Sequence, residues 1–255
     1  LPGVTNGVEY WALLYVQDNG SGLYYVRQTA DVGALDLEST DGEETWSSLG
    51  ASFRFKSYVA NNDGVKGYHR RYPSDGNKRT LFAAGGSVYS AEDNGTVTEI
   101  DSSLDSSSDF VRFAFVDDKS FYVNGINAPK QWDGTAVSNI TGAPLGAKLV
   151  KIYQGRAFFL VDKTRFVFSE LYDFATYPSV NFFYVPDPKS NDGVTGAIPF
   201  HDNFVIFTHE TKHLIIGTDI SSFTRKEAEG TKGAVSDEAI CADRSYIYFM
   251  SDDKQ

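Results

Sequence analysis

The sequence predicts an all-β protein built as a β-propeller of about five blades, and three observations support this prediction. Apolar residues occur in short β-prone runs, these runs recur with a period near 41 residues, and a helix-forming composition is confined to one short segment. A four-stranded propeller blade takes ~40–50 residues. A β-sandwich is the alternative, because its strands also recur at short intervals, but a sandwich does not require the longer period.

The predicted strands are short segments rich in Val, Ile, Phe and Tyr, which favour extended backbone. They comprise residues 10–16, 23–26, 81–84, 110–116, 156–161, 204–208, 214–216 and 246–250. Pairs of Asp, Asn and Gly typical of tight turns separate many of them, so consecutive antiparallel hairpins are expected. Residues 224–232 alone have a helix-forming composition, which predicts a turn or two of helix at most.

Two stretches of the chain repeat one pattern of strand, tight turn and strand. Residues 81–100 parallel residues 121–140. Extending the same strand position along the chain marks five equivalent residues at a mean spacing of about 41: Phe82, Phe121, Phe158, Val205 and Ile247. A period of this size in 255 residues allows at most six blades, of which five are the safer prediction.

We expect residues 1–255 to form a single propeller domain, with a less regular segment over residues 1–50. The sequence does not start with Met, which favours its being part of a longer chain. The last predicted strand is followed by five residues, so its blade lacks outer strands. We expect the N-terminal hairpin, predicted from residues 10–16 and 23–27, to supply them, because closing the ring protects sheet edges.

Composition excludes several classes of protein. A hydrophobic content of 41% excludes a disordered chain, and the single Cys241 excludes an internal disulfide and a cysteine zinc site. The chain has 34 acidic against 23 basic residues and a net charge of −11, which argues against tight binding to nucleic acid. No run of ~18 apolar residues is present, so no membrane span is predicted.

The segment from His209 to His213 is a literal H-E-x-x-H sequence, the zinc-protease motif when it lies on a helix. Its β-prone flanks instead predict a hairpin with its tip near Thr211. A third ligand would have to come from elsewhere, for example Glu227 or Glu229. We therefore predict no catalytic, cofactor or metal site, and keep His209 and His213 as weak metal candidates.

Residues 66–72 form a local basic stretch with interleaved aromatic residues. Arg70 and Arg71 are candidates for contact with phosphate or a partner subunit. The favoured alternative places the tyrosines of this stretch inward and both arginines on a solvated face.

Three further patterns are predicted to be structural. Residues 39–46 approach an Asp-box turn, and Trp132-Asp133 looks like a strand end entering a turn. A glycoside hydrolase would need two converging carboxylates, but many aspartates lie beside Gly, Asn or Ser in evident turns, where they cap backbone groups. These are Asp63, Asp75, Asp93, Asp133 and Asp192.

The order of several segments across about residues 65–253 carries a family resemblance. These segments are residues 67–72 leading to 81–86, residues 121–134, Arg165 with residues 168–173, and residues 193–196, 204–207, 217–219, 233–236 and 247–252. Together they resemble the β-propeller of tailed-bacteriophage tail proteins, the group of packaged-DNA-stabilising hub and tail nozzle proteins.

The resemblance implies a structural virion protein without enzymatic activity or cofactor. It implies that copies assemble in the host cytoplasm into a homo-oligomeric ring with other tail proteins, around a tail channel that DNA traverses without specific binding. An acidic wall would repel phosphate. A carbohydrate- or host-surface-binding propeller that uses Trp11, Trp46 or Trp132 is the alternative, and a glycoside hydrolase or zinc protease ranks below both.

Overall fold

The computed structural model describes residues 9–14, 24–29, 64–186, 191–218, 221–230 and 232–251. The chain divides into two compact units, Leu1–Asn62 and Asp63–Gln255. The described residues of the first unit form an antiparallel hairpin of β1 (Glu9–Leu14) and β2 (Tyr24–Thr29). The hairpin predicted from the sequence is therefore present. The predicted Asp-box turn at residues 39–46 lies outside the described residues.

The described residues of the second unit form four four-stranded antiparallel sheets, which we call blades 1 to 4, and a two-stranded start of blade 5. In each blade the strands pair in chain order. Blade 1 comprises β3 (Gly67–Arg71), β4 (Arg79–Ala84), β5 (Ser87–Glu92) and β6 (Val97–Asp101); blade 2 comprises β7 (Arg112–Val116), β8 (Lys119–Val123), β9 (Lys130–Trp132) and β10 (Val137–Asn139).

Blades 3 and 4 repeat this arrangement. Blade 3 comprises β11 (Leu149–Tyr153), β12 (Arg156–Leu160), β13 (Arg165–Phe168) and β14 (Phe182–Tyr184), and blade 4 comprises β15 (Gly196–Phe200), β16 (Asn203–Phe207), β17 (Lys212–Ile216) and β18 (Thr224–Glu227). A 3-10 turn at Asp237–Ala239 leads into blade 5, whose strands are β19 (Ile240–Ala242) and β20 (Ile247–Phe249). Among the residues with described structure, no helix is both long and apolar enough to cross a bilayer.

The first strands of successive blades are neighbours. Strand β3 lies beside β7, β7 beside β11, β11 beside β15 and β15 beside β19. These strands are therefore innermost, and each blade extends outward from them to its fourth strand. The five residues that the sequence placed at equivalent positions all lie in second strands, namely β4, β8, β12, β16 and β20. The predicted propeller fold and its period are confirmed.

The apolar core lies between blades rather than inside any one of them. Leu81 of blade 1 and Trp132 of blade 2 share a cluster, and so do Phe121 of blade 2 and Phe159 of blade 3. Blades 3 and 4 meet through Tyr153, whose ring stacks 5.6 Å from that of Phe204. A fourth cluster joins blades 4 and 5. Because each sheet buries its faces against its neighbours, burial of apolar area stabilises their succession.

One local prediction was wrong. Residues 224–232 were expected to contain up to two turns of helix, but Thr224–Glu227 forms β18, the outer strand of blade 4. Its residues pair with β17, with Thr224 opposite Ile216 and Glu227 opposite His213. Helix propensity differs among ordinary residues by only ~0.7 kcal/mol each, so pairing with an existing sheet edge outweighs it.

Candidate functional site

A cluster of four charged side chains joins the inner parts of several blades, and we call it the axial cluster: Arg112, Lys151, Asp237 and Glu238. Arg112 lies on β7, Lys151 on β11, and the two acids in the turn before β19. Arg112 Nε donates to Glu238 Oε1 at 3.0 Å, and Lys151 Nζ donates to Asp237 Oδ2 at 2.9 Å. The cluster thereby connects blades 2 and 3 to the start of blade 5.

Blade 4 joins the same cluster through its backbone. Asp237 Oδ1 accepts a hydrogen bond of 3.1 Å from the amide of Ala197, at the start of β15. The neighbouring Gly196 allows this approach, because a Cβ there would lie 2.6 Å from Ile240 Cδ1 and 2.7 Å from Asp237 Cα. A larger residue would push the turn away from β15.

Arg112 stabilises the ionised form of Glu238 in the axial cluster. Burial would raise the pKa of Glu238, but the hydrogen bond and charge of Arg112 outweigh this effect and hold the pKa below its usual value. The two cations face two anions, so their charges balance. The arrangement can fix the relative positions of four blades at their inner ends.

A second polar cluster links the outer strand of blade 1 to blade 2. Lys130 Nζ lies 2.8 Å from Asp101 Oδ2, and the two side chains are only 10% and 6% exposed. Tyr122 also donates to Asp101 at 2.8 Å, and Ser103 bonds to both members of the ion pair. Burial would raise the pKa of Asp101, but the hydrogen bonds from Lys130, Ser103 and Tyr122 lower it below its usual value.

Arg71 forms a third inter-blade contact. Its side chain is buried, with Nη2 donating to the backbone oxygens of Asp118 at 2.7 Å and Asp133 at 3.1 Å. The guanidinium carbon lies 4.7 Å from the ring centroid of Trp132, a cation–π contact. Arg71 of blade 1 therefore holds two turns and an aromatic ring of blade 2.

The favoured interpretation of residues 66–72 was wrong. Tyr68 and Tyr72 are 78% and 62% exposed, whereas Arg71 is 4% exposed. Arg70 is half-buried and pairs with Asp93 at 2.7 Å. Within the chain both arginines have partners, and their contact with a partner subunit stays a prediction.

Trp132 is 2% exposed beneath Arg71 and Arg79. It cannot serve as the carbohydrate-stacking platform that one alternative required. The side chain of Trp11 and all of Trp46 lie outside the described residues. As predicted, Trp132 ends a strand and Asp133 begins a turn, in which its carboxylate accepts from the amides of Thr135 and Ala136.

His209 and His213 lie on the predicted hairpin, whose turn joins Phe207 of β16 to Lys212 of β17. This is not the helix that a zinc protease requires. His213 is buried, and its Nε2 lies 3.0 Å from the hydroxyl oxygen of Thr211. No group of three or more His, Cys, Asp or Glu side chains among the described residues is placed to hold a metal ion.

The turn aspartates differ in their roles. Asp75 accepts from the amide of Asn77 at 2.9 Å, as a turn cap should, whereas Asp93 pairs with Arg70 across its blade. Asp63 lies outside the described residues.

The axial cluster was not predicted from the sequence. Arg112 and Glu238 are separated by 126 positions, and neither belongs to a short motif. A regular blade period predicts which strands are innermost, but it does not say which of their side chains meet.

Comparison with known proteins places the fold among solved propeller-like structures. The chain is similar to a catalytically inactive virginiamycin B lyase from Staphylococcus aureus with quinupristin, with a TM-score of 0.52 and 11% identity over 71% of this chain and 61% of that one. It is also similar to the computationally designed Ika8 protein, with a TM-score of 0.48 and 11% identity over 72% and 54% of the two chains. The chain thus spans less than two thirds of either structure, and the similarity to the lyase, at 11% identity, shows the fold alone.

The search of curated proteins finds no match. The family described as bacteriophage P22 Gp10, β-propeller, matches residues 15–255. This match covers nearly the whole chain and confirms the resemblance to phage tail propellers. The blades, their period and this match together show that the chain belongs to the bacteriophage P22 Gp10 β-propeller family and is a phage structural propeller protein.

Proposed function

We propose that this chain is the propeller module of a hub or nozzle ring in a phage tail. In this proposal several copies assemble with other tail proteins around the channel through which DNA leaves. The family match over residues 15–255 is the observation that carries the proposal. The chain would assemble in the host cytoplasm and remain in the virion, without catalysing a reaction or holding a cofactor.

The contacts between blades support a role that requires a rigid propeller. Apolar clusters join each blade to the next, and the axial cluster adds charged contacts among blades 2, 3 and 5. Contacts of both kinds resist sliding of one sheet over another, because sliding would expose apolar area and separate paired charges. A channel wall must keep its shape in this way while DNA passes.

The charge of the chain supports passage of DNA without adhesion. The net charge is −11, and tight binding of DNA requires Lys and Arg to displace counterions from phosphate. A wall that repels phosphate lets the duplex move, whereas a basic wall would retain it.

Two measurements test the proposal. Light scattering of the purified chain, followed by negative-stain electron microscopy, should show a closed oligomeric ring with a central opening. Fluorescence anisotropy of labelled duplex DNA at about 0.15 M salt should show no binding. A chain that remains monomeric at high concentration would argue against the ring, and a tight DNA complex would argue against free passage.

We also propose that residues 1–255 form a single propeller domain. Blade 5 has two strands in the described part of the second unit, and Tyr246, Tyr248 and Met250 around β20 are 66%, 52% and 69% exposed there. Removing residues 1–62 should then lower the thermal unfolding temperature of the remaining chain. An unchanged unfolding temperature would contradict a single domain.

A further inference from the structure

The outer strand of blade 3, β14, has an edge that no other strand of the described chain covers. The amide of Val185 donates to the oxygen of Thr164, next to β13, at 2.8 Å. Bonds to a neighbouring antiparallel strand recur at every second residue, so the backbone groups of Phe182 and Tyr184 point away from β13. The amide of Phe182 donates to the oxygen of Val180. The oxygen of Phe182 and the amide of Tyr184 remain for an added strand to bond.

The residues of this edge are aromatic and exposed. Strand β14 has the sequence Phe-Phe-Tyr, with Phe182 39% and Tyr184 54% exposed. The outer strands of the other three complete blades are more polar: Val-Thr-Glu-Ile-Asp in β6, Val-Ser-Asn in β10 and Thr-Arg-Lys-Glu in β18. Charged side chains protect sheet edges from pairing with another chain, and β14 has none. Among the complete blades, blade 3 therefore has the outer edge best suited to accept another strand.

A groove lies on each side of this edge. The Arg165 groove, of about 370 Å³, is lined by Arg165, Phe182 and Leu145, the last from the segment that enters blade 3 from blade 2. The Phe223 groove, of about 240 Å³, lies between blades 3 and 4 and is lined by Phe182, Tyr184 and Phe223. Successive side chains of a strand point to opposite faces. A strand added to β14 would therefore direct alternate side chains toward the two grooves.

Arg165 lacks an oxygen partner for its guanidinium. Its Nε is buried without a hydrogen-bond partner, and its guanidinium carbon lies 4.8 Å from the ring centroid of Phe182. Every other buried or half-buried arginine of the described chain bonds to oxygen; these are Arg70, Arg71, Arg79, Arg112 and Arg156. The nearest acid in sequence, Asp162, accepts instead from the amides of Thr164 and Arg165. The Arg165 groove thus presents a cation without a matching anion.

We propose that the edge of β14 binds an extended segment of another protein as an added strand. An acidic side chain of this segment pairs with Arg165, and the adjacent apolar side chain occupies the Phe223 groove. In recognition of this kind, main-chain hydrogen bonds supply affinity and pockets for alternate side chains supply specificity. A carboxylate can accept two parallel hydrogen bonds from a guanidinium, which also fixes the register of the segment. The inference goes beyond the proposed ring, because a single copy of the chain can bind such a segment.

Charge complementarity favours this occupant over β14 of a second copy. Strand β14 contains no acidic residue, so pairing two such strands would supply no carboxylate from the strand to either Arg165. It would also bring like cations together, since Arg225 donates to the oxygen of Tyr184 at 3.3 Å beside the same edge. Like charges at a contact oppose association. The edge therefore fits an acidic segment of a different sequence.

Selection from a library of short random peptides displayed on yeast tests the proposal, with the labelled full chain as the probe. The selected peptides should contain Asp or Glu next to an apolar residue. One selected peptide is then synthesised together with a matched peptide in which the acid is replaced by its amide. Fluorescence anisotropy measures the Kd of both peptides. The acidic peptide should bind about tenfold or more tightly than its amide counterpart.

Two variants of the chain separate the contribution of charge from that of the backbone. Arg165→Gln should weaken binding of the acidic peptide about tenfold and leave the amide peptide unchanged. Tyr184→Pro removes the outward amide and no bond to β13, which a sheet edge tolerates, and should weaken both peptides about tenfold or more. Glu227→Pro is the matched control, because Glu227 is exposed on the outer strand β18 and its amide also points outward. It should bind both peptides as the wild type does.

A further pair of variants does not depend on how proline affects folding. Leu145 lines the Arg165 groove and is 75% exposed, so its replacement should leave the fold intact. Leu145→Glu adds a carboxylate at the rim of this groove and should weaken the acidic peptide about tenfold relative to Leu145→Gln. The amide peptide should bind both variants equally.

The outcomes decide the inference independently of the ring. It would be overturned if the selection yielded no peptide, if the selected peptides showed no preference for an acid, or if Tyr184→Pro bound them as tightly as the wild type. Self-association of the wild type that Tyr184→Pro abolishes would assign the edge to a contact between copies instead. A chain that binds the acidic peptide as expected but stays monomeric would support this inference and contradict the ring.

Discussion

His69 is predicted to make the protein less stable as the pH falls below 6.5. The residue lies on the inner strand β3, where its ring is 6.2 Å from the rings of Phe113 and Phe115. Its Nε2 is buried without a hydrogen-bond partner in the described part of the chain. Burial and the charge of Lys151 lower the pKa of His69 from 6.5 to about 4. The folded state therefore holds this ring neutral where the unfolded state would protonate it.

The direction follows from proton binding. Between pH 6.5 and about pH 4 the unfolded chain binds more protons at this site than the folded chain, so the free energy of unfolding decreases as the pH falls. The stabilising contribution is fully present above pH 6.5. One pKa unit corresponds to ~1.4 kcal/mol, so about 2 kcal/mol should be lost by about pH 5 and about 3 kcal/mol at lower pH.

Urea unfolding at several pH values measures this loss, and His69→Leu is the comparison. The variant lacks the titrating ring, so the difference between wild type and variant isolates the contribution of His69 from that of the many carboxylates. The difference should change by about 2 kcal/mol between about pH 7 and about pH 5. A difference that stays constant over this range would show that His69 titrates normally in the folded state.

Two further substitutions test the contacts between blades 1 and 2. Lys130→Met leaves the carboxylate of Asp101, 6% exposed, without its cation, and should lower the free energy of unfolding by about 3 kcal/mol or more. Gly67→Ala should cost about 3 kcal/mol, because a Cβ at Gly67 would lie 1.8 Å from the backbone oxygen of Val111. Chemical denaturation measures both changes.

Each substitution has a matched control. Lys226→Met changes an exposed lysine on β18, and Gly64→Ala adds a methyl group where no atom lies within 4 Å. Both controls should leave stability within about 0.5 kcal/mol of the wild type. Equal effects of Lys130→Met and Lys226→Met would show that the Asp101 ion pair does not stabilise the fold. A Gly67→Ala variant as stable as Gly64→Ala would show that β3 can move away from Val111 at little cost.

The blade period was predictable because its causes are local. Phe82, Phe121 and Phe158 each lie in a short apolar strand close to a turn, and a hairpin is specified by such neighbours in sequence. In the four complete blades the second strand is also flanked by strands on both sides, so its composition is strongly apolar. Short apolar strands and the turns beside them can therefore be recognised in a single sequence.

The contacts that hold the blades together could not be predicted in this way. In and beside β3 the tyrosines were predicted to pack inward and Arg70 and Arg71 to face solvent, but Tyr68 is exposed and Arg71 is buried. A shift of one residue exchanges the two faces of a strand, and a strand with polar and aromatic residues on both faces does not specify which is buried. Arg112 and Glu238 meet only after the two intervening sheets, blades 3 and 4, have formed, and no local pattern encodes such a pairing.

The link between Arg112 and Glu238 also bears on how the second unit unfolds. In a linear repeat array each unit contacts only its neighbours, so the array can unravel stepwise from either end. Here a contact spans 126 positions and encloses blades 3 and 4 in one loop. Blade 5 cannot detach unless the contact between Arg112 and Glu238 breaks. Loss of this contact would release blades 3 and 4 together. We therefore expect blades 2 to 5 to melt in a single cooperative transition rather than one by one.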